Sequence, residues 1–149
     1  MKRTLPILTL LSLCAPVLNA HAASAQSVMV SDCWVRSMPG DVPSGAYFTA
    51  MNMSDKAIDL TSVETDAFGM AMLHQTQSSG STSKMVMVDK ATVPAHGKLA
   101  FAPGGYHVML EQPKAPLKVG STLPLTFAFS DGEKLTAQCA IKPAGATSK

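Results

Sequence analysis

The chain reads as one all-β domain, a Greek-key sandwich or barrel, behind a short N-terminal leader. Three observations predict it. Beyond the leader no long stretch repeats its apolar residues every 3.6 positions, the period of an amphipathic helix. Short strand-like runs recur instead, separated by Gly, Pro, Asn, Asp and Ser at close intervals. Charged residues make up 15% of the chain, below the roughly 25% of an average soluble domain, which suits strands with one buried face.

The leader comes first. Lys2 and Arg3 form a charged start, and 5–13 is apolar except for Pro6, Thr9 and Ser12. Ala20-His21-Ala22 and Ala23-Ser24-Ala25 each fit a small-x-small cleavage site, so 1–25 is predicted to be a signal peptide cut after Ala22 or Ala25. It is shorter than the ~20 apolar residues of a membrane span. Cys14 follows Leu13 rather than a small residue, which argues against lipidation there. Losing Lys2 and Arg3 takes the formal charge of +2 to zero, so no basic footprint remains for nucleic acid or an anionic membrane.

The domain is predicted over 26–142, with strands at 28–36, 46–53, 58–64, 70–76, 84–89, 98–102, 106–111, 123–130 and 134–141. Pro39-Gly40-Asp41, Pro103-Gly104-Gly105 and Ser130-Asp131-Gly132 break the runs, and Asp131-Gly132 marks a tight hairpin turn between the last two. The segment 143–149 is expected to be a loose tail. Two cysteines survive processing, Cys33 and Cys139. They are too far apart for a CxxC motif, and in an exported chain such a pair most simply forms a disulfide. Two buried thiols, or a pair of metal thiolates, remain the alternatives.

Methionine is the outlier, at ten residues. Met29, Met51 and Met53 are expected to be core filler. Five others carry a pattern. Strand alternation puts Met70, Met72 and His74 on one face, Met85 and Met87 on another, and His107 with Met109 on a third, while Val108 and Leu110 point the opposite way. Soft thioethers with imidazoles favour Cu(I) over zinc, magnesium, calcium or manganese. The nearest acids, Asp66, Asp89 and Glu111, are too scattered for a calcium site. His96, in Pro94-Ala95-His96-Gly97, reads as a turn residue with no role. Composition and phase alone leave copper binding and core packing both open.

The spacing adds a resemblance. Ten residues separate His74 from Met85, 21 separate Met85 from His107, and one separates His107 from Met109. This H-x10-M-x21-H-x-M pattern resembles the signature of the periplasmic PCuAC copper chaperones. Trp34-Val35-Arg36, Gly45-Ala46-Tyr47-Phe48-Thr49 with Asn52, Leu73-His74-Gln75-Thr76 and Pro103-Gly104-Gly105-Tyr106-His107-Val108-Met109-Leu110 resemble further blocks of that family, as do Pro116-Leu117-Lys118 and Pro124-Leu125-Thr126. The likeness runs from about Val28 to Ile141. It implies a cupredoxin-like barrel with one Cu(I) at one end, held by His74, Met85, His107 and Met109, with Met70, Met72 and Met87 as auxiliary thioethers. It also implies a periplasmic role in copper delivery toward the CuA centre in subunit II of cytochrome c oxidase, with a Sco-type partner. The His- and Met-rich tail of some relatives has no counterpart here, so a second copper site is not expected.

Three rival functions make different demands. A blue-copper electron carrier needs a cysteine thiolate close to two histidines and a methionine, and neither His nor Met follows Cys139. A metal-free structural or adhesion sandwich would bury its methionines. An enzyme would need a nucleophile elbow, a paired-carboxylate motif, a phosphate loop or an open zinc site, and the sequence contains none.

Overall fold

The computed structural model describes residues 26–148; the predicted leader, with Cys14 and both cleavage sites, and Lys149 lie outside them. The described residues form β1 (Val28–Arg36), β2 (Ser44–Asn52), β3 (Ile58–Glu64), β4 (Phe68–Ser79), β5 (Thr82–Met87), β6 (Ala91–Val93), β7 (Lys98–Phe101), β8 (Tyr106–Pro113), β9 (Thr122–Phe129) and β10 (Lys134–Lys142), with no helix among them. They share one sheet in the order β5-β4-β8-β7-β2-β1-β10-β9-β3-β6, with β8 also pairing with β2. The sheet curls on itself, bringing β3 against β4 and β6 against β2 and β7. Most neighbours are antiparallel, but β1 pairs in parallel with β10 and β7 with β8.

Alternation along each strand fills the inside. Ala46, Phe48 and Ala50 of β2, Val108 and Leu110 of β8, and Leu123, Leu125, Phe127 and Phe129 of β9 all join the core. Phe48 stacks on Phe101 at 4.3 Å and meets Phe127 edge-on at 4.6 Å, so three aromatic rings occupy its centre. The last hairpin turns through Ser130-Asp131-Gly132. Gly132 sits at φ +88°, and the Phe129 N–H donates to the Glu133 carbonyl at 2.9 Å.

A bulge in β1 decides what faces outward. Ser31 pairs with Thr49 and Trp34 with Tyr47, so three steps on β1 match two on β2. Asp32, at φ +55°, takes up the extra residue. Before the bulge Val28 is buried. After it, Cys33 and Val35 turn inward, and Trp34 and Arg36 move to the outer face. The same phase sets Cys33 beside Cys139 of β10, and the two are joined by a disulfide across a Cα–Cα distance of 4.5 Å. It closes a loop of 106 residues, for which the chain-entropy treatment gives an upper contribution of about 4.7 kcal/mol.

Two expectations are corrected. Met29, Met51 and Met53 are not core: they are 46%, 43% and 46% exposed, and Met29 faces Met51 across β1 and β2. Both phases of these strands offer apolar side chains, and the core takes Val28, Ala50 and the polar Asn52 instead. Asn52 is satisfied by donating to the Lys56 and Val93 carbonyls and accepting from the Ser54 N–H. The strand β6, absent from the sequence-based assignment, has only three residues, too few for alternation to register. Its Ala91 and Val93 are nevertheless buried, and Thr92 bonds Asp59.

Leu110 lies wholly inside, on the inner face of β8, the strand that carries His107 and Met109 on its outer face. Leu110→Ala should therefore cost about 2 to 5 kcal/mol of unfolding free energy in denaturant titration. A loss under 1 kcal/mol would mean that this strand does not rest on the core as described.

Candidate metal centre

The centre is built from three adjacent strands. In the antiparallel register of β4 and β8, Leu73 faces Val108, His74 faces His107, Met72 faces Met109 and Met70 faces Glu111. On the other side of β4, β5 sets Met87 opposite His74 and Met85 opposite Thr76. Directly paired residues share a face of the sheet. Because Leu73, Val108 and Leu110 are committed to the core, His74, His107, Met72, Met109, Met85 and Met87 gather on the outer face. The patch lies on the outer face of the wall, with His107 at the start of β8 beside the Gly104-Gly105 turn.

The two imidazoles are prepared differently. Their ring centroids lie 5.7 Å apart in an edge-on arrangement. His107 is only 7% exposed, and its Nδ1 lies 3.1 Å from the Gly105 carbonyl. With Nδ1–H donating to that oxygen, the neutral ring keeps its lone pair on Nε2. Gly104, at φ +84°, makes the turn that aims this carbonyl, and the Gly105 carbonyl also accepts the Thr76 N–H, tying the turn to β4. His74 Nδ1 is buried and has no hydrogen-bond partner among the described residues. An orphaned nitrogen of this kind costs free energy unless a proton donor or a metal meets it. Burial, and to a lesser extent the neighbouring His107, holds the His74 pKa below its ordinary value of 6.5, with Glu111 pulling weakly the other way. His74 is therefore kept in the neutral form that a metal requires.

The methionines differ in exposure. Met70, Met85 and Met87 are 41%, 51% and 67% exposed, which removes core packing as the reason for them, while Met72 and Met109 are half-buried. Met70 accepts from Gln112 Nε2 at 3.4 Å and lies farthest along the face from the histidines. Met87 is the direct neighbour of His74, so the register makes it a nearer auxiliary than Met70.

The face continues onto β2 and β1. Gly45 lies opposite Met109, and Tyr47 comes within 6.5 Å of the His107 ring. A cavity of about 160 Å³ opens there, lined by Met85, His107 and Met109 together with Arg36, Met38, Gly45 and Tyr47. At Gly45 a Cβ would lie 2.7 Å from the Tyr47 hydroxyl and 3.0 Å from its Cζ, so a larger residue would displace the Tyr47 ring. Arg36 packs its guanidinium against Tyr47 and Trp34, at 5.1 and 5.6 Å from the ring centroids. The sequence gives Arg36, Met38 and Tyr47 no role: Tyr47 shares the outward phase of Gly45 on β2, whereas Arg36 faces outward only because of the β1 bulge.

Among the described residues no three His, Cys, Asp or Glu side chains cluster as a metal site, so any metal held here relies on thioether sulfur. Two neutral imidazoles with two or more thioethers suit a soft monovalent cation, and Glu111, opposite Met70 on the same face, does not by itself make a site for a hard dication. His96 stands apart in its turn at φ +51°, bonded to Asp55.

Fold and face together define a single-domain cupredoxin-like barrel that presents a His/Met patch on its wall. The chain belongs to the family described as "Putative lipoprotein LpqE-like", which matches residues 28–141. It is 34% identical over 103 residues to the uncharacterized protein RP573 of Rickettsia prowazekii, a match spanning 66% of this chain and 57% of that protein's length. It is 32% identical over 124 residues to a protein of Leifsonia xyli subsp. xyli named "Putative lipoprotein Lxx21020", covering 80% of this chain and 74% of the other. Among solved structures, Cu(I)-loaded DR1885 from Deinococcus radiodurans superposes with a TM-score of 0.64 at 36% identity, covering 83% of this chain and 85% of that one. A copper-bound PCuAC domain from PmoF2 superposes with a TM-score of 0.69 at 21% identity, covering 79% and 94%, a likeness of fold.

The lowered His74 pKa gives a signed expectation. Its proton is disfavoured by the fold, so the stability linked to it is present above pH 6.5 and is lost as pH falls through the folded value. In the metal-free protein the His74 ring signals should titrate with a midpoint below 6.5 by NMR; a midpoint above 6.5 would contradict the described burial of the ring.

Proposed function

We propose that the protein is an exported Cu(I) carrier that holds one ion per chain through His74, Met85, His107 and Met109, with Met72 and Met87 as nearby substitutes and Met70 as a more distant one. The observation that carries this proposal is the pair of histidines. One ring has its Nδ1 engaged, which leaves the lone pair on Nε2, the other has a buried nitrogen with no partner among the described residues, and thioethers lie beside both in the strand register. The Cu(I) held by DR1885, at 36% identity, supports the same cargo here. Four neutral donors leave the ion with its single positive charge, which favours binding that is firm and still reversible. With both cysteines of the described chain in a disulfide, a blue-copper thiolate site has no sulfur to draw on. A saturated donor set also leaves no open position for a substrate, so the role is carriage rather than catalysis.

The signal-like leader and the lipoprotein descriptions of the family and of the Leifsonia protein support export. Among the described residues no helix is long and apolar enough to cross a membrane. The periplasm as compartment, the CuA centre in subunit II of cytochrome c oxidase as destination and a Sco-type protein as partner rest on the resemblance of the sequence blocks. A metal-free adhesion sandwich is disfavoured by the exposed methionines beside two histidines, which serve no packing purpose.

Metal analysis of the reduced protein loaded with copper should give one ion per chain and a colourless product. His107→Ala should lose tight Cu(I) binding with an unchanged far-UV circular dichroism spectrum, and Met53→Ala, at the far end of β2, should keep it. Equal affinity in the His107 variant would overturn the ligand set, and an intense visible band would restore the electron-carrier alternative.

A further inference from the structure

Arg36 has no counter-ion among the described residues. Among the described residues the ion pairs join Lys90 to Asp59 and His96 to Asp55, and no carboxylate pairs with the guanidinium. Its Nε is buried and makes no hydrogen bond, while its charged end lies against the faces of Trp34 and Tyr47. Lys142 Nζ approaches the same Trp34 ring at 5.6 Å and adds to the positive field. Arg36 lines the same cavity as Met85, His107 and Met109. A bound Cu(I) with neutral ligands would put a second positive charge next to it. Such an arrangement attracts an anion.

We propose that the cavity between Arg36 and the His/Met patch is the port through which copper leaves, and that it accepts the thiolate side chain of the receiving protein. The inference rests on the Cu(I) carrier function proposed above. The volume, about 160 Å³, suits one side chain rather than a larger ligand. The occupant must be anionic to pair with Arg36 and soft to displace a thioether from Cu(I), and among protein side chains only a cysteine thiolate is both. A carboxylate satisfies the guanidinium but is too hard for the ion. In the exchange a Cu–S bond to the incoming thiolate forms and the bond to Met85, at 51% the more exposed of the two ligand methionines, breaks. The ion stays Cu(I) throughout, and the thiol proton passes to solvent as the paired positive charges favour the thiolate. Met38 stands in the same cavity and is held by its N–H donating to Ser44 Oγ at 3.1 Å, so it offers the departing ion an intermediate thioether.

Two measurements on the full mature chain test this. In the metal-free protein, titration with thiocyanate, a small soft anion, should shift the Arg36 Nε and the Gly45 and His107 amide signals together in NMR spectra. Arg36→Gln should abolish those shifts and Arg36→Lys should retain part of them. In the Cu(I)-loaded protein, stopped-flow transfer to dithiothreitol, whose only anionic group is its thiolate, should slow about tenfold in Arg36→Gln, as expected for loss of a charge-assisted contact of roughly 1.4 kcal/mol. Transfer to the neutral thioether 1,4,7-trithiacyclononane should stay within about twofold, and the Cu(I) affinity should not fall. Equal slowing toward both acceptors, or no slowing toward either, would overturn the port. Acetate producing the same NMR shifts more tightly than thiocyanate would make it a carboxylate site instead. Because the NMR experiment needs no copper, failure of the carrier function and failure of the anion site are distinguishable.

Discussion

The antiparallel register between β4 and β8 is the constraint on which the rest depends. It sets Leu73 over Val108 on the inside and His74 over His107 on the outside. The period of a strand is two, so a slip of one residue would exchange the faces, sending the imidazoles into the core and the aliphatic chains into water. Burial of Leu73, Val108 and Leu110 therefore fixes the histidines as firmly as any contact between the rings. The turn at Gly104 and Gly105 adds a second lock. Its one carbonyl accepts from both the β4 backbone and the His107 ring, tying strand register to imidazole orientation.

The bulge at Asp32 is the counterpart on the other side of the patch. By inserting one residue it places Cys33 inward, where it meets Cys139, and turns Trp34 and Arg36 outward. The disulfide thus holds the same stretch of β1 that carries the cationic and aromatic edge of the cavity. Gly45 completes the arrangement by leaving room for the Tyr47 hydroxyl beside Met109.

Much of this was legible in the sequence, for physical reasons. Strands at 28–36 and 58–64 coincide with β1 and β3 because their ends are marked by turn-forming residues. The shared face of His74 with Met72, and of His107 with Met109, followed from alternation alone. The illegible parts are those where alternation gives no sign or misleads. Met29, Met51 and Met53 lie on strands apolar on both sides, and only the packed sheet shows that Asn52, with its hydrogen bonds, takes the inner position. Arg36 looked like one charge among several because the bulge that reverses its phase leaves no composition signal. The choice between Met85 and Met87 is likewise invisible to spacing in one strand: the register puts Met87 opposite His74, whereas Met85 shares the cavity with His107 and Met109.

The chemistry follows from donors that are all neutral. A proton competes for the imidazoles but not for the thioethers, and the fold already resists protonation of His74. That combination suits a soft ion that must be held and then surrendered. X-ray absorption of the Cu(I)-loaded chain tests it most directly. The account predicts a Cu(I) edge with two nitrogen and two sulfur scatterers, reduced to one nitrogen in His74→Ala. A shell made only of sulfur, or only of nitrogen and oxygen, would contradict it.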